Sequence, residues 1–339
     1  MDRTTLSRRS FTKGLAGVGA VALAGLAGCG GEAAPGSTGD ASGTTYKIGV
    51  LQLTEHTALD AANDGFVKAL DDSGISYDID QQNAQNDQSA CQTIASTLVN
   101  NGCDLILAIA TPAAQAVAGA TSDIPIVGTA ITDFAASGLV EDNDAPGGNL
   151  TGTSDMNPVA DQIALLQQLL PDAQTVGLLY CTAESNSDIQ VSLAEEALDG
   201  AGIGHERFTV SSSNEIQQVV ESMVGKVDAI YTPTDNTIAA GMTTVAMVAN
   251  ENGLPTICGE VGMVENGGLA SVSINYEELG YRAGEMAVQI LTEGADPAEM
   301  PIETMSADEC DLVYNQQTAD SLGVDVSALA DEGGQDVSA

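Results

Sequence analysis

Two short apolar runs in this chain end in the same dipeptide. Residues 105–115, LILAIATPAAQ, stop at Thr111-Pro112, and residues 228–236, DAIYTPTDN, stop at Thr232-Pro233. Threonine then proline suits the start of a helix: proline's missing N–H has no partner to lose there, and the hydroxyl can cap the N–H groups that follow. Free N–H groups at a helix start attract an anion. Capping of two ordinary helices explains either turn alone, but the same chemistry in corresponding places of two halves points to a two-sided site. Other chemistries lack their residues. With 2 histidines, His56 and His205, and no C-x-x-C pair there is no zinc constellation. Neither a G-x-x-x-x-G-K-[ST] phosphate loop nor a G-x-S-x-G turn occurs, and no metal or cofactor is expected.

The elements that must position these turns alternate along the chain. KIGVLQL (47–53) reads as a strand, and Leu59, Ala62, Phe66 and Leu70, spaced by three and four, mark a helix with one buried stripe. ISYDIDQQ (75–82) follows as a strand, then a helix to about Asn100. DLILAIA (104–110) and IPIVGTA (124–130) are near-continuously apolar, as strands are when helices cover both faces of a parallel sheet. After Pro158 the pattern restarts: a helix with Ile163, Leu166, Leu169 and Leu170, strands at 175–181, 227–232 and 254–258, and helices near 187–200, 214–224 and 237–252. Leu279, Ala283, Met286, Ala287, Ile290 and Leu291 form another helical stripe, and DLVYN (311–315) is a last strand. Serial alternation predicts an α/β fold with parallel sheets. Two such blocks predict two lobes, with ligands beyond the carboxyl ends of the strands, where both Thr-Pro turns lie.

The first 28 residues read as an export signal to be set aside. SRRSFTK (7–13) is a twin-arginine pattern before an apolar run, and Leu26-Ala27-Gly28-Cys29 resembles a lipoprotein processing site with Cys29 as the lipidated residue. Residues 29–45 are small and polar, a tether. The whole chain carries 48 acids against 9 Lys and Arg, which argues against nucleic acid and against lying flat on an anionic membrane. The bases past the leader are Lys47, Lys68, Arg207, Lys226 and Arg282. The cysteines after Cys29 (Cys91, Cys103, Cys181, Cys258 and Cys310) sit in or beside apolar runs and read as buried small hydrophobes.

From Tyr46 to about Val324 the chain resembles the ABC-transporter substrate-binding lipoproteins of the tryptophan/tyrosine type, which have the periplasmic-binding-protein type I fold. The residues that carry the resemblance are IGVLQLTEHTALDAANDGF, QNAQNDQS, LAIATPAAQAVAGATSDIPIV, PGGNLTGTSDMNPV, KVDAIYTPTDNTI and INYEELGYRAGEMA. It implies two Rossmann-like lobes joined by a hinge crossed three times, near Asp155-Met156, near Asn275-Tyr276 and in 305–310. Lobe one is then 46–155 with 276–305, lobe two 156–275 with 306–325, and 326–339 an acidic tail. Ligand binds between the lobes, and the closed, loaded protein, a monomer held on the extracytoplasmic side of the membrane by its lipid, is presented to an ABC permease.

Strand ends then nominate the site. In lobe one these are Glu55, His56 and Thr57, then Asn83, then Thr111, Pro112, Ala113 and Ala114, then Thr132 and Asp133, with Ser154 and Asp155 at the hinge. In lobe two they are Glu184 and Asn186, then Thr234, Asp235 and Asn236, then Glu260. For an amino-acid ligand, the helix after Thr111 takes the carboxylate without an arginine, and Asp155 and Asp235 take the ammonium. Phe134, Tyr180 and Tyr231 are the candidate aromatic walls. Thr57, Phe134 and Glu260 depart from the family's usual residues beside the cleft. Two other readings stand beside this one: the same fold binding a sugar or nucleoside or serving as a sensor, and an amino-acid racemase with a cysteine from each lobe. For the racemase, Cys181 and Cys258 do end strands, but both fall in lobe two.

Overall fold

The computed structural model describes residues 44–338, so the twin-arginine pattern and Cys29 lie outside the described residues. The first part of the chain alternates β1 (Thr45–Gln52), α1 (Thr57–Ser73), β2 (Ser76–Asn83), α2 (Gln88–Asn100), β3 (Leu105–Ile109), α3 (Thr111–Ala120), β4 (Ile126–Ile131) and β5 (Leu150–Ser154). Next come α4 (Val159–Leu169), β6 (Thr175–Cys181), α5 (Ser185–Ala201), β7 (Gly204–Val210), α6 (Ile216–Met223), β8 (Ala229–Thr232), α7 (Asn236–Ala240), α8 (Met242–Glu251), β9 (Thr256–Cys258), α9 (Val261–Glu265) and β10 (Ala270–Ser273). The rest is α10 (Tyr276–Val288), β11 (Glu303–Thr304), β12 (Asp311–Tyr314), α11 (Gln316–Leu322), α12 (Ser327–Asp331) and β13 (Gln335–Asp336).

Two sheets result. One has the order β11-β5-β4-β3-β1-β2 and is parallel throughout. The other runs β13-β12-β10-β9-β8-β6-β7, with β10 and β12 its antiparallel pair. The chain passes between the two bodies at 155–158, at 274–275 and at 305–310. The α/β class with two parallel-dominated sheets and three crossings is the expected one. Central strands are buried on both faces, so β3 (LILAI) reads as an unbroken apolar run. The edge strands β2 and β7 are half polar because one face meets water.

The differences from expectation have physical causes. β5 (LTGTS) is fully buried yet not apolar, because its hydroxyls are paired: Thr151 Oγ1 donates to the Met300 carbonyl at 2.8 Å, and Thr153 meets Thr129 at 2.9 Å. His205, expected in a polar connection, lies on edge strand β7, with its imidazole 3.2 Å from Asp199 and 3.7 Å from Glu195. The single helix expected over 237–252 breaks at Gly241, where a β-carbon would collide with Ile216. The end of the chain is not a detached acidic tail. Val326 and Leu329 enter the core of the second body, and β13 pairs with β12.

Helices α1 and α10 approach until their backbones touch. A β-carbon at Gly65 would overlap the Glu277 carbonyl, and one at Gly280 would overlap the Ala62 carbonyl. The contact matters for function, since α1 begins just after His56 and α10 begins at the second crossing. Gly280→Ala should therefore force the helices apart and cost about 1–3 kcal/mol, seen as a lower urea midpoint. An unchanged midpoint would show that the close approach is not needed.

Candidate functional site

The loops after the strands of the first sheet lie in the order Asp155 (β5), Thr132 (β4), Thr111 (β3), His56 (β1) and Asn83 (β2). The non-glycine residues with positive φ are Gln85 (52°), Asn86 (59°), Ala110 (83°) and Ala130 (54°), all at this end of the sheet. Such conformations cost about 1–3 kcal/mol each and gather where a site needs them. At Ala110 the consequence is direct. It is the N-cap of α3, and the first helical bond runs from Ala114 N–H to its carbonyl at 3.1 Å. The N–H groups of Thr111 and Ala113 precede that bond, and Pro112 contributes none. The Thr111 hydroxyl is buried without a partner.

Thr111 therefore does not cap its helix, and Thr232 does not cap one either. The Thr232 hydroxyl is also buried and unpartnered, and α7 begins further on with Asp235 as its cap. The two Thr-Pro turns are thus not equivalent. Only the first opens a helix, because Thr234 and Asp235 follow Pro233 and a short acid satisfies helical N–H groups better than a threonine.

In the second body the carboxylates are committed. Asp235 accepts from Ile238 N–H (2.8 Å), Cys181 N–H (2.7 Å) and the Ser187 hydroxyl (2.7 Å). Glu184 accepts from Asn236 N–H (3.1 Å) and Nδ2 (2.6 Å), Thr237 N–H (2.8 Å) and hydroxyl (2.7 Å), and Asn186 Nδ2 (3.4 Å). Glu260 caps α9 by accepting from Gly262 and Met263 N–H. The Asn186 Oδ1 is buried without a partner. Asn236 and Thr237, oriented by Glu184, then reach the first body: His56 Nε2 lies 3.1 Å from Asn236 Oδ1, and Asn86 Nδ2 donates to Thr237 Oγ1 at 2.9 Å.

Asp155 is different. It is fully buried at the hinge, and its side-chain partners are hydroxyls, Tyr276 at 3.0 Å and Thr132 at 3.2 Å, with its own backbone N–H beside them. Burial pushes its carboxyl up to about 6 against the pull of these donors. Burial likewise raises Glu260 to about 7, and burial together with the Glu184 charge raises Asp235 to about 8. No ion pair of the described residues includes a cleft residue: Lys68, Arg207 and Arg282 pair with acids elsewhere.

The remaining candidates shape loops. Asn83 Oδ1 accepts from Gln85 N–H, Asp133 Oδ1 from Ala136 N–H, and the Ser154 hydroxyl donates to the Thr132 carbonyl. Thr234 meets Asn157 Nδ2 at 3.3 Å beside the hinge. Glu55 and Thr57 are exposed, and Thr57 abuts Gly262 of α9. Ala113 and Ala114 are fully buried in α3. The aromatic walls are elsewhere too: Phe134 packs against Gly128 in the first core, Tyr231 donates to Gln162 at 2.8 Å, and Tyr180 accepts from Arg207 at 3.1 Å. Cys181 and Cys258 both belong to the second sheet, and burial pushes both thiols up, away from the reactive thiolate.

Sequence reasoning missed Gln190, Asn157, Tyr276, Asn86 and Thr237. Gln190 is fully buried and joins the bodies, its Nε2 3.3 Å from Thr132 Oγ1 and its Oε1 accepting from Thr234 N–H. Its one trace in the sequence is its place four residues after Asn186, on the same face of α5.

Residues 47–331 match the family described as ABC transporter substrate binding protein. The chain belongs to that family. This substrate-binding protein is 44% identical over 279 residues to the tyrosine-binding protein of Clostridioides difficile (strain R20291), covering 81% of this chain and 80% of that one. A Streptococcus pneumonia protein solved in complex with L-Trp is 42% identical, with TM-score 0.81 over 85% of this chain and 98% of that one. A Clostridium difficile substrate-binding protein with adhesive properties, solved ligand-free and open, is 45% identical over 83% of this chain and 96% of that one, with TM-score 0.64. Identity hardly separates these two structures, yet the superposition does. In this substrate-binding protein direct hydrogen bonds join the two bodies at His56–Asn236, Asn86–Thr237 and Gln190–Thr132. Among the described residues no helix is long and apolar enough to cross a membrane.

The raised carboxyls predict an inverted acid response. Asp155, Glu260 and Asp235 hold protons in the folded protein up to about pH 6, 7 and 8, while unfolded carboxyls release them near pH 4. The folded form thus binds more protons between about pH 5 and 8, and stability falls as pH rises through that window. His56, whose pKa burial lowers, acts in the opposite direction as a single group. Without ligand, Tm should drop by several degrees from pH 5.5 to 8. A flat or rising Tm would show that burial does not raise these carboxyls as a group.

Proposed function

We propose that this substrate-binding protein captures a free amino acid with an aromatic side chain and delivers it to an ABC permease. The observation that carries the proposal is Asp155, a buried carboxylate held by two hydroxyls with no cation beside it. Burying such a charge is costly unless a positive group joins it, and an ammonium supplies one. The ligand carboxylate goes to the α3 end, where the Thr111 hydroxyl has no protein partner and the leading N–H groups of a helix favour an anion. Asn186 Oδ1 offers the ammonium a further acceptor from lobe two. An amino acid so placed touches both lobes only when they are together, so it shifts the population toward the closed form. Relatives named for tyrosine and bound to L-Trp support the aromatic class. A sugar or nucleoside would call for aromatic platforms, and Phe134, Tyr180 and Tyr231 are committed to cores or to Arg207.

The lobes of this reading are 46–155 with 276–305 and 156–275 with 306–338, moving about the three crossings. The protein is exported by its twin-arginine leader and works as a monomer anchored by a diacylated Cys29. Cys29→Ala should abolish labelling by a fatty-acid probe and release the protein from membranes; labelling that persists would remove the anchor from the reading.

The ligand test is a thermal-shift panel of amino acids, sugars and nucleosides, since a ligand at about 100 times its Kd adds roughly 2.7 kcal/mol. Asp155→Asn should weaken the best amino acid by about a hundredfold, equivalent to roughly 2.7 kcal/mol, without lowering the ligand-free Tm. Asp235→Ala should instead lower that Tm, because it removes a helix cap worth about 1 kcal/mol along with two further bonds. Unaltered affinity in Asp155→Asn would sink the ammonium assignment.

A further inference from the structure

His56 stands where the lobes meet, and the direction of its hydrogen bond is dictated from the far side. Glu184 is surrounded by donors from Asn236, Thr237 and Asn186, so its oxygens only accept. Asn236 must then turn its NH2 toward Glu184, at 2.6 Å, which leaves Oδ1 facing the other lobe. There His56 Nε2 lies 3.1 Å away. An amide oxygen cannot donate, so Nε2 carries the imidazole proton. Burial keeps the ring neutral by lowering its pKa, although Asn236, Glu184 and Asp60 all pull the other way. In a neutral imidazole the second nitrogen is a bare acceptor. That nitrogen, Nδ1, is buried and has no partner in the protein.

Position says what it is for. Thr111 follows β3 and His56 follows β1, the next strand in the sheet, about 5 Å along. A ligand whose charged groups lie between Asp155 and Thr111 extends its side chain toward His56. Beyond it, the Asn86 to Thr237 bond closes the cleft at the β2 end. Resting on the amino-acid reading above, we infer that His56 Nδ1 accepts a hydrogen bond from the ligand's side chain, so that the cleft selects aromatic amino acids bearing a ring N–H or O–H over those bearing none. A ligand without the donor leaves Nδ1 unpaired in a dry site, which costs more than the bond itself. Glu184 and Asn236 act as positioning residues by holding the tautomer.

Calorimetry with matched ligands tests this: tyrosine against phenylalanine, and tryptophan against 1-methyltryptophan. At least one donor-bearing ligand should bind about tenfold or more tightly than its partner. In His56→Gln the amide nitrogen reaches the Nε2 position and keeps a donor for Asn236 but provides no Nδ1, so the ratio should fall to within about threefold. Nitrogen NMR reads the mechanism directly, since the chain has 2 histidines: His56 should show the Nε2–H tautomer, and its Nδ1 resonance should move with the donor-bearing ligand alone. Equal binding within both pairs, discrimination that survives in His56→Gln, or an Nδ1–H tautomer overturns the inference while leaving amino-acid capture standing. If no ligand of the four binds, capture itself fails and takes the inference with it. Should His56→Gln not fold, the wild-type ratio and the tautomer decide.

Discussion

Carboxylate oxygens only accept hydrogen bonds, and at Glu184 that limit governs the contact between the lobes at His56 and Asn86. Its donors are the first N–H groups of α7 and the side chains of Asn186, Asn236 and Thr237. With those donors pointed inward, Asn236 and Thr237 present acceptors to lobe one, which answers there with donors, His56 Nε2 and Asn86 Nδ2. An ion pair, Arg282–Glu309, lies at the third crossing, but the contact at His56 and Asn86 is directional and carries none. Each such bond has a net value of only about 1 kcal/mol, since water replaces it when the lobes part. Buried ion pairs across the same gap would make separation a matter of stranding charges. Neutral bonds strand no charge when two such surfaces part.

The buried acids of the cleft divide by what satisfies them. Asp235 and Glu260 are answered by N–H groups at helix starts, where the backbone supplies partial positive charge. Asp155 has no helix start, its side-chain partners are hydroxyls, and one of them belongs to Tyr276, the first residue of α10. α10 is locked against α1 through Gly65 and Gly280, and α1 starts beside His56. The hinge acid, the second crossing and the His56 loop therefore belong to one packed unit.

Much of this was legible in the order of residue types. Parallel strands covered on both faces have to be apolar throughout, so β3, β4 and β6 announce themselves, and the alternation with helices follows. β5 did not, because its threonines are satisfied by the Met300 carbonyl and by Thr129, partners distant in sequence. β13 and Leu329 were hidden in an acidic segment whose few apolar positions only count once the second sheet is there to receive them.

The site divides along the same line. Sequence alone determined that acids, amides and hydroxyls stand at strand ends, because strand ends and their helix starts follow from local pattern, and that no basic residue falls among them. It could not say which of those groups are already used. Asp155 and Asp235 are the same residue type after the same kind of strand, yet one caps a helix and the other sits against hydroxyls at the hinge. Gln190 carries no mark of its role in the sequence, since its partner Thr132 lies in the other body. A lone pair is free or taken according to neighbours brought from far along the chain, so which buried atoms stay unpartnered, Thr111 Oγ1, Asn186 Oδ1 and His56 Nδ1 among them, was decided by the tertiary structure.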